Sequence, residues 1–371
     1  MVVKPMQFIS EDKKDILFFS TLRQRIDLYF KDNNISKHYN TQMVVKTIVL
    51  LSCYILPFAA LLIFQPTIGI AMAIWVIMAF AKSGIGMSVM HDANHGAYSS
   101  KAKINRFLGL TINLIGGIAF TWKLQHNIMH HTYTNIVHMD DDIEDKAIMR
   151  FSPHTKVVKI QKFQFIYAFL FYGILTVYWS FLKDFVQFHK YSKSGVNKGT
   201  RADNRKMLSK IILLKLFYVF IFFALPILIL KMPALNYVLG YLLMQFISGI
   251  LLAVIFQLAH TVEETSHPIP NETGNIENNW AIHQMNTTAN FSQNNKFISW
   301  YVGGLNFQVE HHLFPTICHV HYPRIAGIVR STAKEFGIPY LENKTLWKAL
   351  KSHVRTLQRF GKMPSLNETI S

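Results

Sequence analysis

Long uncharged runs alternate with polar segments along this chain, and the runs are long enough to cross a membrane. Residues 47–81 contain no charged side chain, and Gln65-Pro66 interrupts this run near its middle. Two further apolar runs, 211–230 and 234–259, are separated only by a three-residue turn. About 20 apolar residues make a helix that spans a bilayer, and a proline breaks such a helix. The pattern therefore predicts two helical hairpins.

The positive charges give these hairpins an orientation. Their two turns hold a single charged residue, Lys231, whereas the N-terminal, middle and C-terminal polar segments are rich in Lys and Arg. Lysine and arginine accumulate on the cytoplasmic side of membrane proteins. We therefore expect all three polar segments, and any site built from them, to be cytoplasmic.

Composition agrees with a multispan, all-α membrane protein. Half of the 371 residues are hydrophobic, 29 are Phe, and the mean hydropathy is +0.20. The formal net charge of +17 comes with no recognisable nucleic-acid module, so we assign it to attraction by anionic lipid and expect no nucleic-acid partner. With only Cys53 and Cys318 present, a disulfide framework or a cysteine-based metal site is excluded.

Three histidine clusters occur outside the predicted hydrocarbon region. They have the spacings H-x3-H, H-x3-HH and Q-x2-HH, and they comprise His91 and His95; His126, His130 and His131; and Gln308, His311 and His312. Histidines at i and i+4 share one face of a helix, and neutral imidazole is a common ligand of first-row transition metals. A single cluster could be a solvated loop, but three supply more nitrogen ligands than one ion needs. The simplest use of so many imidazoles is a pair of metal ions.

The order of these clusters resembles that of the membrane fatty-acid desaturases. Within that family the stretch 303–315, Gly-Gly-Leu-Asn-Phe-Gln-Val-Glu-His-His-Leu-Phe-Pro, is similar to the front-end (linoleoyl-CoA or delta-6-type) acyl desaturases, whose third box begins with Gln. The resemblance implies a non-haem di-iron centre and no catalytic residues beyond the metal ligands. The ligands it implies are His91, His95, His126, His130, His131, His260, His311 and His312.

Other polar residues near these clusters have more than one interpretation. His260 ends an apolar helix, where an interface residue and a further ligand are both plausible, and the resemblance favours the ligand. The acidic segment 140–145 is interpreted first as a solvated loop, with direct ligation or orientation of imidazoles as alternatives. Residues that could ligate metal or support the ligands are Gln308, Gln257, His283 and Asp142.

A shared site constrains the topology. The second and third boxes can meet only if an even number of spans separates them, so 163–182, although long enough to cross, is expected to lie in the membrane plane or in a cytoplasmic helical cap. We expect four spans, at about 47–64, 67–90, 208–230 and 234–259, with in-plane segments at about 107–121 and 163–182. The predicted divisions are an N-terminal segment 1–42 with an amphipathic helix on the membrane surface, a desaturase domain 43–330, and a C-terminal helix and tail 331–371.

The resemblance implies an O2-dependent enzyme that introduces a cis double bond on the carboxyl side of an acyl chain. The acyl carrier could be CoA, acyl carrier protein or a membrane lipid. No His-Pro-Gly-Gly haem-binding signature occurs in this sequence, so we expect electrons from a separate carrier, a ferredoxin or a cytochrome b5-like protein with its reductase. We favour a bacterial inner membrane, with the endoplasmic reticulum as the eukaryotic alternative.

Two alternative functions use the same histidines. A lipid hydroxylase could share this architecture, although the Gln of the third box argues against it. A metal transporter would place its histidines inside the spans, whereas the three boxes lie outside them. The desaturase interpretation is therefore preferred.

Overall fold

The computed structural model describes residues 6–10, 12–143 and 148–366, and these residues are mostly helical. The α helices are α1 (Lys13–Asp32), α2 (Thr41–Phe64), α3 (Ile68–Gly84), α4 (Met90–Asn94), α5 (Ala102–Gly109), α6 (Thr111–Leu114), α7 (Ala119–Trp122), α8 (His131–Tyr133), α9 (Gln164–Tyr178), α10 (Asp184–Ser194), α11 (Arg201–Val219), α12 (Leu225–Ile229), α13 (Ala234–His260), α14 (Trp280–Thr287), α15 (Lys296–Tyr301), α16 (Gln308–Leu313), α17 (Tyr322–Phe336) and α18 (Leu346–Phe360). The π-helical segments are Ile85–Val89, Lys123–His130, Trp179–Lys183 and Phe220–Ala224, and the 3-10 segments are Lys159–Phe163 and His319–His321. Strands β1 (Asn290–Phe291) and β2 (Glu342–Asn343) pair in parallel.

Within the described residues, five helices are long and apolar enough to cross a membrane. They are Thr41–Phe64, Ile68–Asn94, Lys159–Ser194, Arg201–Ile229 and Ala234–His260. Four of them cover the apolar runs from which the two hairpins were predicted. The fifth contains the ambiguous stretch 163–182, and the other predicted in-plane stretch falls in a bent helix pair, Ala102–Leu114 and Ala119–Tyr133. A mostly helical protein with apolar candidate spans is confirmed, and four crossings remain a prediction.

The chain forms two compact units. Among the described residues, unit 1 comprises 40–124 and 169–254, and unit 2 comprises 6–39, 125–168 and 255–366. Unit 1 holds most of the apolar helical sequence. Unit 2 holds the second and third histidine boxes.

Buried polar side chains connect the helices of unit 1 to one another. The ammonium of Lys215 lies 2.6 Å from the Asp184 carboxylate and also donates to the carbonyls of Gly116 (2.7 Å) and Trp179 (2.9 Å). Lys82 donates to the side-chain oxygen of Gln245. Buried charge is tolerated only when it is paired and hydrogen-bonded, so these contacts fix which helix faces meet inside unit 1.

Helix α1 contributes to the core of unit 2. Its buried residues, Phe18, Leu22, Ile26 and Phe30, recur every four positions and so form one face. That face packs in one hydrophobic cluster with residues of α14, α16 and α17. This core covers one face of α1, whereas Leu17 and Leu28 on the helix are 56% and 44% exposed. That the helix lies on the membrane surface therefore stays a prediction. The same cluster holds the helix that carries the third box.

Candidate metal centre

The second histidine box lies on a π-helical segment, Lys123–His130, that continues directly into α8. The rings of His126 and His130 are nearly parallel, with centroids 5.1 Å apart, and the His131 ring is 4.8 Å from that of His126. A π-helical turn closes with i→i+5 hydrogen bonds, so residues four and five apart lie close together. All three imidazoles of this box therefore gather on one side of the segment, where an α helix would have turned His131 away.

Three buried histidines of unit 2 converge from separate elements. His130 comes from the second box, His260 from the end of α13 and His312 from α16, and each offers a ring nitrogen within 4.8 Å of the others. All three are 0% exposed. The Nε2 of His260 is buried and has no hydrogen-bond partner in the described residues. Three buried imidazoles, one with an unsatisfied nitrogen, fit a first-row transition metal such as iron, and zinc or copper by ligand type alone.

Carboxylates from the acidic segment orient the second box. The Nδ1 of His130 lies 2.9 Å from the Asp140 carboxylate, and the Nδ1 of His126 lies 2.8 Å from that of Asp142. A carboxylate that accepts from Nδ1–H fixes the tautomer and makes Nε2 the basic nitrogen, as in many metal sites. The first interpretation of this segment, a solvated loop, is wrong for Asp140, which is 2% exposed. The predicted residues Glu144 and Asp145 lie outside the described residues.

A glutamine on α14 holds the third box, and this contact was not predicted from the sequence. The side-chain oxygen of Gln284 lies 2.8 Å from Nδ1 of His312 and accepts from the Thr134 hydroxyl at 2.9 Å. Its amide nitrogen donates to the carbonyl of His131 at 3.2 Å. One buried amide therefore connects the second box to the third. Nothing distinguishes an isolated Gln in a polar segment, so no local signal could have found it.

Two further Nδ1 atoms on this side lie against oxygen atoms. The Nδ1 of His260 lies 3.3 Å from the Thr287 carbonyl, and the Nδ1 of His311 lies 3.2 Å from the Tyr322 hydroxyl. The His311 ring is 4.6 Å from that of His131. Six imidazoles of unit 2 are thus gathered, and five of them are oriented through Nδ1.

Glu310, which directly precedes His311 on α16, has a structural role. Its carboxylate accepts from the Tyr340 hydroxyl at 2.7 Å and from the Asn290 amide at 2.9 Å. Burial raises the pKa of Glu310 to about 7, and these hydrogen bonds oppose that rise. Asn290 also accepts from the backbone N–H of Val309 at 2.9 Å. These contacts tie α16 to β1 and to the segment before β2.

The other predicted site residues are buried or half-buried. In unit 1, the rings of His91 and His95 are 4.7 Å apart, and each lies within 6 Å of the Trp122 ring. Gln257 accepts from the Thr261 hydroxyl at 2.6 Å, and Gln308 is buried on α16. His283 packs on the Phe8 ring at 5.0 Å, and it is in none of the ligand clusters formed by the described residues. Its burial lowers its pKa to about 4.

Comparison with known proteins identifies the family to which this arrangement belongs. The sequence pattern of the fatty acid desaturases matches residues 65–344. The chain belongs to the fatty acid desaturase family. It is 36% identical to an sn-1 linoleoyl-lipid 6-desaturase of Synechocystis sp., over 93% of this chain and 96% of that protein. It is 33% identical to an sn-1 linoleoyl-lipid 6-desaturase of Arthrospira platensis, over 95% and 94% of the two chains.

A plant relative has similar identity but a longer chain. An acyl-lipid (8-3)-desaturase of Physcomitrium patens is 32% identical over 96% of this chain and 74% of its own length. These relatives support the front-end resemblance seen in the third box. The protein is a fatty acyl desaturase, an oxidoreductase of lipid metabolism, and its apolar helices fit a membrane protein.

The carboxylate of Asp140 is expected to set metal affinity through His130. In Asp140→Asn, we expect iron affinity to fall about 10- to 100-fold, because the neutral amide no longer fixes the His130 tautomer. Chelator titration of the purified protein measures this change. The control Glu335→Gln alters a carboxylate that is exposed and pairs with Arg25 at 2.7 Å; it should bind iron as wild type does. Equal affinity in both variants would contradict this role of Asp140.

Proposed function

We propose that this desaturase introduces a cis double bond on the carboxyl side of an existing one, in an acyl chain carried by a membrane lipid. The observation that carries the proposal is the convergence of His130, His260 and His312 in a buried cluster of a fatty acid desaturase. The names of the 36% and 33% identical relatives support linoleoyl lipid as substrate and position 6 as the site of the new bond.

We propose that two non-haem irons are held by eight histidines. Six are the oriented and packed imidazoles of unit 2, and the box pattern adds two from unit 1: His126, His130, His131, His260, His311 and His312, with His91 and His95. When bound, the irons would activate O2 and supply the oxidant that an unactivated methylene requires. The protein's part is to hold five of these ligands through a hydrogen bond at Nδ1, so that Nε2 would face the metal, and to exclude water by burial.

The reaction requires reducing equivalents that the acyl chain does not supply. Reduction of O2 to two waters takes four electrons and four protons. Two electrons and two protons leave the adjacent methylenes as the double bond forms. The other two electrons come from an external one-electron carrier, a ferredoxin or a cytochrome b5-like protein, and the other two protons come from water.

We also propose four crossings, with the site on the cytoplasmic side. His130 precedes the helix Lys159–Ser194, whereas His260 follows it and the hairpin formed by Arg201–Ile229 and Ala234–His260. Their proximity supports an even number of crossings between them, so Lys159–Ser194 would not traverse the bilayer. The lysine- and arginine-rich polar segments support the cytoplasmic orientation.

The reaction is tested by lipid analysis of a desaturase-deficient host that expresses the chain with ferredoxin and is supplied with linoleate. We expect a new double bond at position 6 in lipid-bound chains. We expect activity to fall at least about 100-fold in His130→Ala and His312→Ala, since each removes an imidazole from the buried cluster. A hydroxylated product would overturn the reaction, and a bond on the methyl side would overturn the front-end assignment.

The topology is tested with single cysteines in a background that lacks Cys53 and Cys318. We expect Lys198→Cys and Lys296→Cys to react with a membrane-impermeant maleimide from the cytoplasmic side, and Lys231→Cys from the opposite side. Inverted and right-side-out membrane vesicles provide the two sides. If Lys159–Ser194 crosses the membrane, position 198 would be labelled from the outer side and position 231 from the cytoplasmic side. That labelling pattern would contradict the four-span proposal.

A further inference from the structure

Helix α18 presents a basic surface to solvent. Its exposed residues and those at its ends form a stripe, here called the α18 stripe, that comprises Lys344, Trp347, Lys348, Lys351, Arg355, Arg359 and Lys362. At 100° per residue, the members on the helix itself cover an arc of about 120°. Trp347 is 63% exposed, and the Lys351 ammonium lies 5.3 Å from its ring centroid. Glu263 lies at the edge of the stripe, 3.6 Å from Arg355.

The opposite face of α18 contacts the chain beside the metal centre. The Nδ1 of His353 lies 2.8 Å from the carbonyl of Thr261, the residue that follows His260. Ser352 accepts from the backbone N–H of Glu263 at 2.8 Å and donates to Glu264 at 3.1 Å. A single helix, about 10 Å across, therefore separates the α18 stripe from the backbone next to a proposed iron ligand.

The arrangement of apolar and charged faces on α18 does not suit insertion into lipid. An interfacial helix buries its apolar face in the membrane and turns its charged face outward. The apolar face of α18 is instead covered by protein, with Ala349, Leu357 and Phe360 all 0% exposed. The solvent-exposed face of α18 carries lysine and arginine side chains around one tryptophan. Arginine and tryptophan are enriched at protein interfaces, where tryptophan commonly anchors the contact.

We propose that the α18 stripe is the docking surface for the acidic one-electron carrier that supplies this desaturase. The inference rests on the proposed function, which requires two electrons per double bond from outside the chain. Charge complementarity selects the partner, because a basic stripe attracts an acidic protein and steers its approach. The carrier is oxidised by one electron in each encounter, so two encounters complete one turnover. The contact from His353 to Thr261 places the docked carrier close to His260.

The test uses the full-length protein in neutral detergent micelles and an acidic [2Fe–2S] ferredoxin. The dissociation constant of the complex between the two proteins is measured at low and high salt. For Lys344→Glu, Lys348→Glu and Lys351→Glu combined, we expect binding at low salt to weaken at least about tenfold, as expected when attractive charges become repulsive. Wild-type binding should weaken as salt rises. Trp347→Ala should weaken binding with little change in its salt dependence.

The matched control makes the same charge change elsewhere in unit 2. It combines Lys14→Glu, Arg23→Glu and Lys31→Glu on the exposed side of α1, and it should bind ferredoxin as wild type does. Iron content and melting temperature should match wild type in both triple variants. If the α1 variant weakens binding as much as the stripe variant, net charge alone explains the effect and the docking surface is wrong.

Two further outcomes would overturn the proposal in distinguishable ways. If the stripe variant binds ferredoxin normally but loses binding to anionic vesicles, the stripe is a lipid-headgroup surface. If wild type binds ferredoxin without salt dependence yet still desaturates lipid in the host, the docking surface fails and the proposed function stands. If wild type forms no new double bond in that host, both the proposed function and the docking proposal are contradicted.

Discussion

The structure of unit 2 depends on keeping several imidazoles buried and fixed in orientation. A buried histidine with an unsatisfied ring nitrogen is costly unless something binds that nitrogen. Here each of five rings has its Nδ1 against an oxygen: Asp140, Asp142, Gln284, the Thr287 carbonyl or Tyr322. That leaves Nε2 as the atom that would bind a metal ion. The need to orient these rings positions four parts of unit 2, because each supplies an oxygen or a ring. They are the acidic segment, α14, α16 and the start of α17.

The rest of unit 2 supports these contacts. Helix α1 fills the core beneath α14 and α16 with four aromatic and aliphatic residues, and Glu310 ties α16 to Asn290 and Tyr340. The helices of unit 1 are apolar on nearly every face, so hydrophobicity alone does not determine which faces pack together. Buried polar pairs, such as Lys215 with Asp184, determine these contacts. Because an unpaired charge in an apolar environment is strongly unfavourable, these pairs specify helix packing where hydrophobicity alone cannot.

The parts of this structure that the sequence predicted are those encoded locally. Apolar runs broken at Gln65 and Lys231 predicted both hairpins, and histidine spacing predicted five of the six histidines that gather in unit 2. Contacts between distant segments could not be predicted in this way. Asp140 looked like part of a solvated acidic loop and Gln284 like an ordinary polar residue, because only the fold brings each to a ring nitrogen. Amphipathicity predicted helix α1 but did not reveal that its buried face packs against α14, α16 and α17.

The most direct test of the central claim, that the buried imidazoles of unit 2 hold iron, compares iron content in two histidine variants. His260 and His283 are both buried in unit 2, but only His260 belongs to the converging cluster. Iron per chain should be two in wild type and in His283→Ala, and should fall by at least one in His260→Ala, with Mössbauer spectra reporting the loss at the metal site. Full iron in His260→Ala, or equal loss in both variants, would contradict the account.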